Sequence, residues 1–412
     1  MVLTFACKNF RSIKHECEID FRKMNLNQYK ESLINNEVLP VAVIYGPNGG
    51  GKTTVILAMQ YLCAFVSAPI NQIKGLGIYS VPPLKPFMLD MTSRNEPSEF
   101  SIVFNLNKDD STEYRYNLSI HDNVVCGESL YEKGEKGKPG CIFDRNKDGV
   151  RFGDKYKNYS IKTLNITPSI SALAILAIMY NDSVFGRVGN WFTQVGILDF
   201  GNPLLEVVLP NLLTNFISNN EISPIVNSLL KETKLVSSFE VVDNNIISAQ
   251  NNGQKIIKTY HDIGGKTYEL TYNDESMGTK KMIQLAPSVA IALLNGGLVV
   301  IDELDAKIHP KLLEYIISLF TNQNVNRKGA QLFFTSHDMY TLSGKVFRRD
   351  EIWFACKDKD ESTVVYSLAD IKSDDNRIMR SDLSFSKQYL QGRYGADPYY
   401  NKMIAWEDLN EQ

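Results

Sequence analysis

The segment Val41-Ala42-Val43-Ile44-Tyr45 runs directly into Gly46-Pro47-Asn48-Gly49-Gly50-Gly51-Lys52-Thr53, and this junction constrains the fold more than any other feature of the chain. A short apolar run rich in β-branched residues reads as a buried strand. The glycine-rich stretch reads as a tight loop, and the apolar spacing from Lys52 to Phe65 as a helix. Gly46 to Thr53 matches G-x-x-x-x-G-K-[ST] in full. Strand, loop and helix in that order turn backbone N–H groups and the positive end of the helix dipole toward phosphate. Lys52 would reach the β- and γ-phosphates, the Thr53 hydroxyl would ligate Mg²⁺, and the glycines admit an approach that a Cβ would obstruct. With Pro47, Asn48 and Thr54 completing the loop and its first helical residues, the ligands implied are ATP and Mg²⁺.

A second apolar run, Leu298 to Ile301, ends in Asp302-Glu303, at the strand edge where α/β sheets place their ligands. Asp302 is expected in the Mg²⁺ shell. Glu303 is expected to orient or deprotonate the attacking water, since in-line displacement needs a nucleophile poised opposite the leaving phosphate. Alone, such an acid pair also suits a solvated strand end; the intact phosphate loop in the same chain favours chemistry. Thr335-Ser336-His337-Asp338 follows another buried run, Gln331 to Phe334, so His337 emerges at a strand end within reach of a γ-phosphate. Ser276-Met277-Gly278-Thr279 precedes a helix beginning near Lys280 and offers a hydroxyl, a glycine and a helix N-terminus to an anion, or simply a capped helix start.

The pattern along the chain is that of an α/β protein. Strands are expected at Val2 to Cys7 and Cys17 to Phe21, and alternating runs from about Glu99 to Ser160 suggest an antiparallel β region. Helical spacing dominates from about Thr163 to Val236, with Pro203, Pro210 and Pro224 at helix edges. Strand-like alternation returns at Ile256 to Tyr272. Helices are then expected at Lys280 to Leu294 and His309 to Thr321, between buried strands. This divides the chain into an N-terminal half of the ATPase lobe with the β region (1–160), a helical insertion (161–250), a C-terminal half (251–375) and a helical tail (376–412).

The 44 Lys and Arg against 47 Asp and Glu leave a net charge of −3, so no global basic field points to nucleic acid or an anionic membrane. Lys345, Arg348 and Arg349 form a small basic cluster that could touch a phosphate backbone or be a solvated face. The N-terminal residues lack the features of a secretory signal, and apolar stretches such as Ile170 to Met179 fall short of the ~20 residues needed to span a bilayer. A cytoplasmic protein without membrane contact is expected. The six cysteines show no zinc-ligand spacing and are expected to be reduced thiols. Asp144 to Gly149 starts like a calcium loop, but Lys155 stands where a bidentate Glu is needed, so a hairpin turn is expected.

The order of motifs carries a resemblance. Asn9-Phe10-Arg11-Ser12, GPNGGGKT, a long insertion, ESMGTKK, VVIDELDAKIHP and FFTSHD together resemble the ABC-type ATPases that include RecF, SMC proteins and OLD-like enzymes. The resemblance implies a P-loop NTPase fold of the ABC-ATPase type, with a mixed parallel core sheet, an antiparallel β subdomain and a helical insertion. It also implies ATP hydrolysis in a homodimer or higher oligomer, in which Ser276 and Gly278 of one copy complete the nucleotide site of the other. Asp305 would communicate across that dimer, and Arg11 would lie near the nucleotide. The signature departs from the transporter form LSGGQ, no glutamine between residues 70 and 130 stands out as the one that bridges Mg²⁺ and water, and no coiled coil separates the halves. The closing segments Arg349 to Phe354 and Tyr389 to Gly395 are similar to stand-alone bacterial ATPases of the abortive-infection and RloA-like kind. Those look like the regulatory half of phage-defence pairs, which implies a separately encoded, nuclease-like effector. The segment after His337 is short for an appended nuclease domain, and a RecF-like DNA-binding repair ATPase is the alternative.

Overall fold

The computed structural model describes residues 1–75, 81–159, 167–201, 221–243, 255–371 and 385–396. Val2–Lys8 (β1) and Cys17–Asp20 (β2) pair antiparallel, with Phe5 opposite Ile19. Val41–Tyr45 (β3) is buried at every residue and leads through the glycine loop into Lys52–Ile73 (α1). Ser98–Phe104 (β4), Glu113–His121 (β5), Val124–Lys133 (β6), Gly140–Asn146 (β7) and Gly149–Phe152 (β8) then form the expected antiparallel region. With the N-terminal hairpin they make a seven-stranded sheet in the order β2-β1-β4-β5-β6-β7-β8. Asp144 to Gly149 spans the β7–β8 hairpin, with Lys147 and Asp148 forming the turn and Asn146 paired with Gly149.

The stretch with helical spacing supplies Ala172–Met179 (α2), Val184–Thr193 (α3) and Ile222–Glu232 (α4), and one strand besides, Gly196–Asp199 (β9); Ser238–Asp243 (β10) follows it. Pro203 and Pro210 lie outside the described residues. Lys255–Ile263 (β11) and Lys266–Thr271 (β12) join β10 in a three-stranded antiparallel sheet. The chain continues through Met277–Asn295 (α5), Leu298–Asp302 (β13), Pro310–Thr321 (α6) and Gln331–Thr335 (β14). Ile352–Lys357 (β15), Thr363–Ser367 (β16) and Phe385–Leu390 (α7) complete it; most of the expected helical tail lies outside the described residues.

The central sheet runs β16-β15-β3-β14-β13-β9, parallel throughout except for β16. Period-two alternation divides its side chains between two cores. Ala42, Ile44, Val300 and Phe333 face α1, α2, α3 and the antiparallel sheet, while Val41, Val43, Tyr45, Ile301 and Phe334 face the helices α4 to α6. Helix α1 is apolar on nearly all sides because it is enclosed by the first of these cores. It passes the expected end at Phe65 and continues through Pro69, which removes one N–H, while burial continues at Ile70 and Asn71. Its 22 residues are long and apolar enough to cross a membrane, yet 72% of the apolar window is buried in the fold.

Glu128 fastens α2 to the antiparallel sheet. Its carboxylate accepts from Ala172 N at 2.8 Å and Leu173 N at 2.9 Å, and from the Ser171 and Tyr116 hydroxyls, and it pairs with Arg145 at 3.1 Å. A carboxylate at a helix N-terminus with that many donors is a buried charge whose desolvation is offset. Glu351 is the contrasting case. It is buried, with Oε2 accepting from Arg348 N at 2.8 Å and Oε1 without a partner, and burial pushes its carboxyl up to about 8.

Because the folded state holds this proton more tightly than the unfolded chain, the contribution of Glu351 to stability is complete below about 4.5 and is lost as pH rises through about 8. Glu351→Gln, which cannot ionise, is therefore expected to melt about 2–4 °C higher than wild type on the alkaline side of that window, and to lose the advantage in mild acid. Parallel melting curves across pH check this; equal offsets at every pH would contradict it.

Candidate nucleotide-binding site

The parallel register sets the site. Ile44 lies opposite Thr335 and Ile301 opposite Phe334, so β3, β13 and β14 end at one edge and release Gly46, Glu303 and Ser336 together. Strand β15 joins β3 in the same direction, with Phe354 opposite Tyr45, so the β15–β16 hairpin rises at that edge too.

The loop turns through positive φ at Gly49 (76°) and Gly51 (101°), the latter being the N-cap of α1. A Cβ at Gly46 would lie 2.1 Å from the Ala355 carbonyl oxygen, one at Gly50 2.7 Å from the same atom, and one at Gly51 2.0 Å from Thr363 Oγ1. Three of the four loop glycines are thus required by the hairpin behind the loop as well as by an approaching phosphate. Lys52 folds back so that Nζ donates to Gly46 O at 2.9 Å and Pro47 O at 3.1 Å. Burial pushes its pKa down to about 8, against the opposing pull of Asp302, Glu303 and Asp305. Thr53 is exposed at the loop's end, and Thr54 Oγ1 accepts from Ser12 Oγ at 2.8 Å.

Asp302 is buried, and its Oδ1 accepts from Thr335 Oγ1 at 2.5 Å; the same hydroxyl oxygen accepts from Glu303 N at 2.8 Å. Glu303 takes a φ of 53°, a left-handed conformation that costs a residue with a Cβ and persists only where neighbours enforce it. Backbone N–H of His337 donates to Asp305 Oδ2 at 3.1 Å, while Asp305 Oδ1 is buried without a partner. Burial and then the Lys52 charge push the His337 pKa down, with Asp305, Glu303 and Asp302 acting the other way. The structure therefore gathers Lys52, Asp302, Glu303, Asp305 and His337 around the loop. Its donors are hard oxygens, the Thr53 hydroxyl and the Asp302 carboxylate, which suit Mg²⁺ bound together with phosphate and water. An open cleft of about 1030 Å³ adjoins them, lined by Gly46 to Gly50, His337, Lys357, Lys359 and Tyr389, and it has room for a nucleotide.

Ser276 caps α5, accepting from Thr279 N at 3.1 Å, and Gly278 abuts the Lys307 carbonyl; their contacts are with this helix start and the turn after the acids rather than with the phosphate loop. Helix α5 begins three residues before Lys280 because that serine caps it. Arg11 sits beside Ser12 with φ 51°, its guanidinium 5.7 Å from the Phe10 ring and its Nε buried without a partner. The basic cluster at Lys345, Arg348 and Arg349 is not a solvated face. Arg348 is 0% exposed and pairs with Asp350 at 2.7 Å, and Arg349 is 6% exposed. The closing segments pack on one another: Phe354 lies 5.5 Å from Tyr389 and 5.1 Å from Tyr394, and the Tyr366 hydroxyl donates to Tyr394 O.

A glycine loop between a buried parallel strand and a helix, with acids and a histidine at neighbouring strand ends, defines a P-loop ATPase. The chain belongs to the AAA-domain family described as "AAA domain, putative AbiEii toxin, Type IV TA system", whose model matches residues 41–343. No curated protein matches the sequence significantly. Among solved structures it is similar to an SMC head bound to the C-winged helix domain of ScpA (14% identity, 89% of this chain and 97% of that one, TM-score 0.46). It is similar also to the SMC head domain from Thermotoga maritima (13%, 89% and 98%, 0.42) and to an SMC head with coiled coil and joint from Pyrococcus yayanosii (10%, 95% and 99%, 0.44). The fold class rests on the strand order and loop geometry above.

Sequence reasoning passed over Thr335, Ser12 and Thr363. Thr363 Oγ1 bonds Ser12 Oγ at 2.8 Å and Gly50 O at 3.3 Å, so the hairpin, the N-terminal segment and the loop are joined by hydroxyls. A polar residue closing the strand was the available signal for Thr335, and Ser12 closes the quoted Asn9 to Ser12 motif without a role assigned to it; nothing local marks Thr363. Thr335→Val keeps the shape but leaves a buried carboxylate oxygen and the Glu303 N–H unpaired, at about 1–3 kcal/mol. Turnover of ATP is expected to fall roughly tenfold or more, and steady-state phosphate release checks it.

Proposed function

We propose that this ATPase is a nucleotide-controlled dimerisation switch, the regulatory component of a bacterial anti-phage (abortive-infection) system acting on a separately encoded effector such as a nuclease. In this reading ATP lies across Gly46 to Thr53, with Mg²⁺ held by Thr53 and Asp302, where it would neutralise phosphate charge. Lys52 and His337 contact the terminal phosphates, Glu303 acts on the attacking water, and Arg11 lies nearby. The site in one copy is open, and Ser276 and Gly278 of a second copy close it, with Asp305 at the junction. The observation that carries the reading is the exposed Ser276 at the start of a 19-residue helix, whose hydroxyl bonds Thr279 of its own helix rather than its own phosphate loop. A hydroxyl beside a helix N-terminus suits an anion. The family's description, with its "putative AbiEii toxin, Type IV TA system", supports the defence role. The burial of Arg348 and Arg349 favours this reading over a RecF-like DNA-binding repair ATPase, because it removes two of the three cations offered for a phosphate backbone.

Glu303→Gln should bind Mg²⁺-ATP, hydrolyse it at least roughly a hundredfold more slowly, and migrate with ATP at twice the 46.6 kDa of one chain. Lys52→Ala should remain at the 46.6 kDa of a single chain. Light scattering after size exclusion reads both. Normal hydrolysis by Glu303→Gln would remove Glu303 from its role, and a monomer with ATP bound would end the switch. A pull-down from the native host, with and without Lys52→Ala, then separates a protein effector from nucleic acid.

A further inference from the structure

Lys281, in the second turn of α5, is 4% exposed. Its Nζ donates to Glu303 O at 2.8 Å and to Ala306 O at 2.6 Å, and lies 4.2 Å from the centroid of the Phe200 ring. A lysine brought out of water is costly unless its charge is met. Here it is met by two peptide carbonyls and an aromatic face. Burial pushes its pKa down to about 7, against the pull of Asp305 and Glu303. Both carbonyls belong to the turn after β13. Glu303 O accepts a second bond, from Ala306 N at 3.1 Å, so its two lone pairs are used. The other side of the residue is held by Thr335, which accepts from Glu303 N. A residue at φ 53° is therefore gripped at its N–H by β14 and at its carbonyl by α5. Phe200 closes the arrangement, since its backbone N–H donates to Asp302 O at 3.3 Å.

We propose that Lys281 is a positioning residue for ATP hydrolysis: it fixes the peptide of Glu303, and so the direction of its carboxylate, from the helix that begins at Ser276. The proposal rests on the reading of Glu303 as the group that acts on the attacking water. It also makes the attitude of the exposed helix start depend on the acid turn of the same chain, because one ammonium bridges them.

Lys281→Met keeps the apolar stem against Phe200 and removes both bonds. We expect kcat to fall roughly 10- to 100-fold, as for a displaced reacting group, with KM and the Kd for Mg²⁺-ATP within about threefold of wild type. In the Glu303→Gln background the same change should alter the residual single-turnover rate by less than about twofold, since the group it positions is gone. Equal losses in both backgrounds, or loss of kcat and affinity together, would reduce Lys281 to a structural residue and overturn the proposal, as would unchanged kcat in Lys281→Met. Wild-type hydrolysis by Glu303→Gln alone would instead sink the reading of Glu303. Melting curves monitor the fold. Where Lys281→Met does not fold, Lys281→Gln, neutral and one bond shorter but still a donor, should give an intermediate kcat at unchanged KM; full activity in that variant would overturn the proposal equally.

Discussion

Three parallel strands that end level with one another hold the chemistry of this protein in place. Because β3, β14 and β13 are neighbours in register, the phosphate loop, the histidine segment and the acid pair leave the sheet side by side. That alignment in turn depends on burial of both faces, which is why each strand is short, buried at every position and apolar through its middle, with polar residues only at the ends of β13 and β14. The helix that follows the loop is enclosed between two sheets, so its N-terminus has little freedom to move relative to those strand ends. Polar groups add the finer adjustment: one threonine hydroxyl spans from the Asp302 carboxylate to the Glu303 backbone.

Much of this was legible in the residues. The loop motif, both buried strands that carry acids and histidine, and the antiparallel region are local patterns, and local patterns survive folding. What escaped was whatever depends on a distant partner. Strand β9 is four residues long, too short to show a period, and is a strand only because β13 offers it an edge. Helix α1 overruns Phe65 because burial outweighs the missing N–H of Pro69. Arg348 and Arg349 read as surface charge from sequence, whereas Asp350 and the Gln28 carbonyl internalise the first of them. Thr363 and Ser12, some 350 positions apart, meet beneath the loop, a pairing that nothing in either neighbourhood announces.

The same distance between cause and residue applies to the closing segments. Their resemblance to stand-alone defence ATPases is carried by aromatic and buried charged residues, and in the fold these make packing contacts with β15 and with one another. Strand β15 then presents Ala355 to the loop. Residues at the far end of the chain thus contribute to the shape of a motif near its beginning, which gives a physical reason for two sequence signatures to travel together.

The crowding of Gly46, Gly50 and Gly51 against Ala355 and Thr363 changes how inherited variation at this loop would be expressed. A side chain at any of these positions collides with the protein's own hairpin before nucleotide arrives, so such an allele would lower the amount of folded protein in the cell. An allele at Lys52, whose head group rests on loop carbonyls, would leave the protein abundant and inert. A missing protein and a silent one are different genetic states, and the loop's glycines and its lysine divide between them.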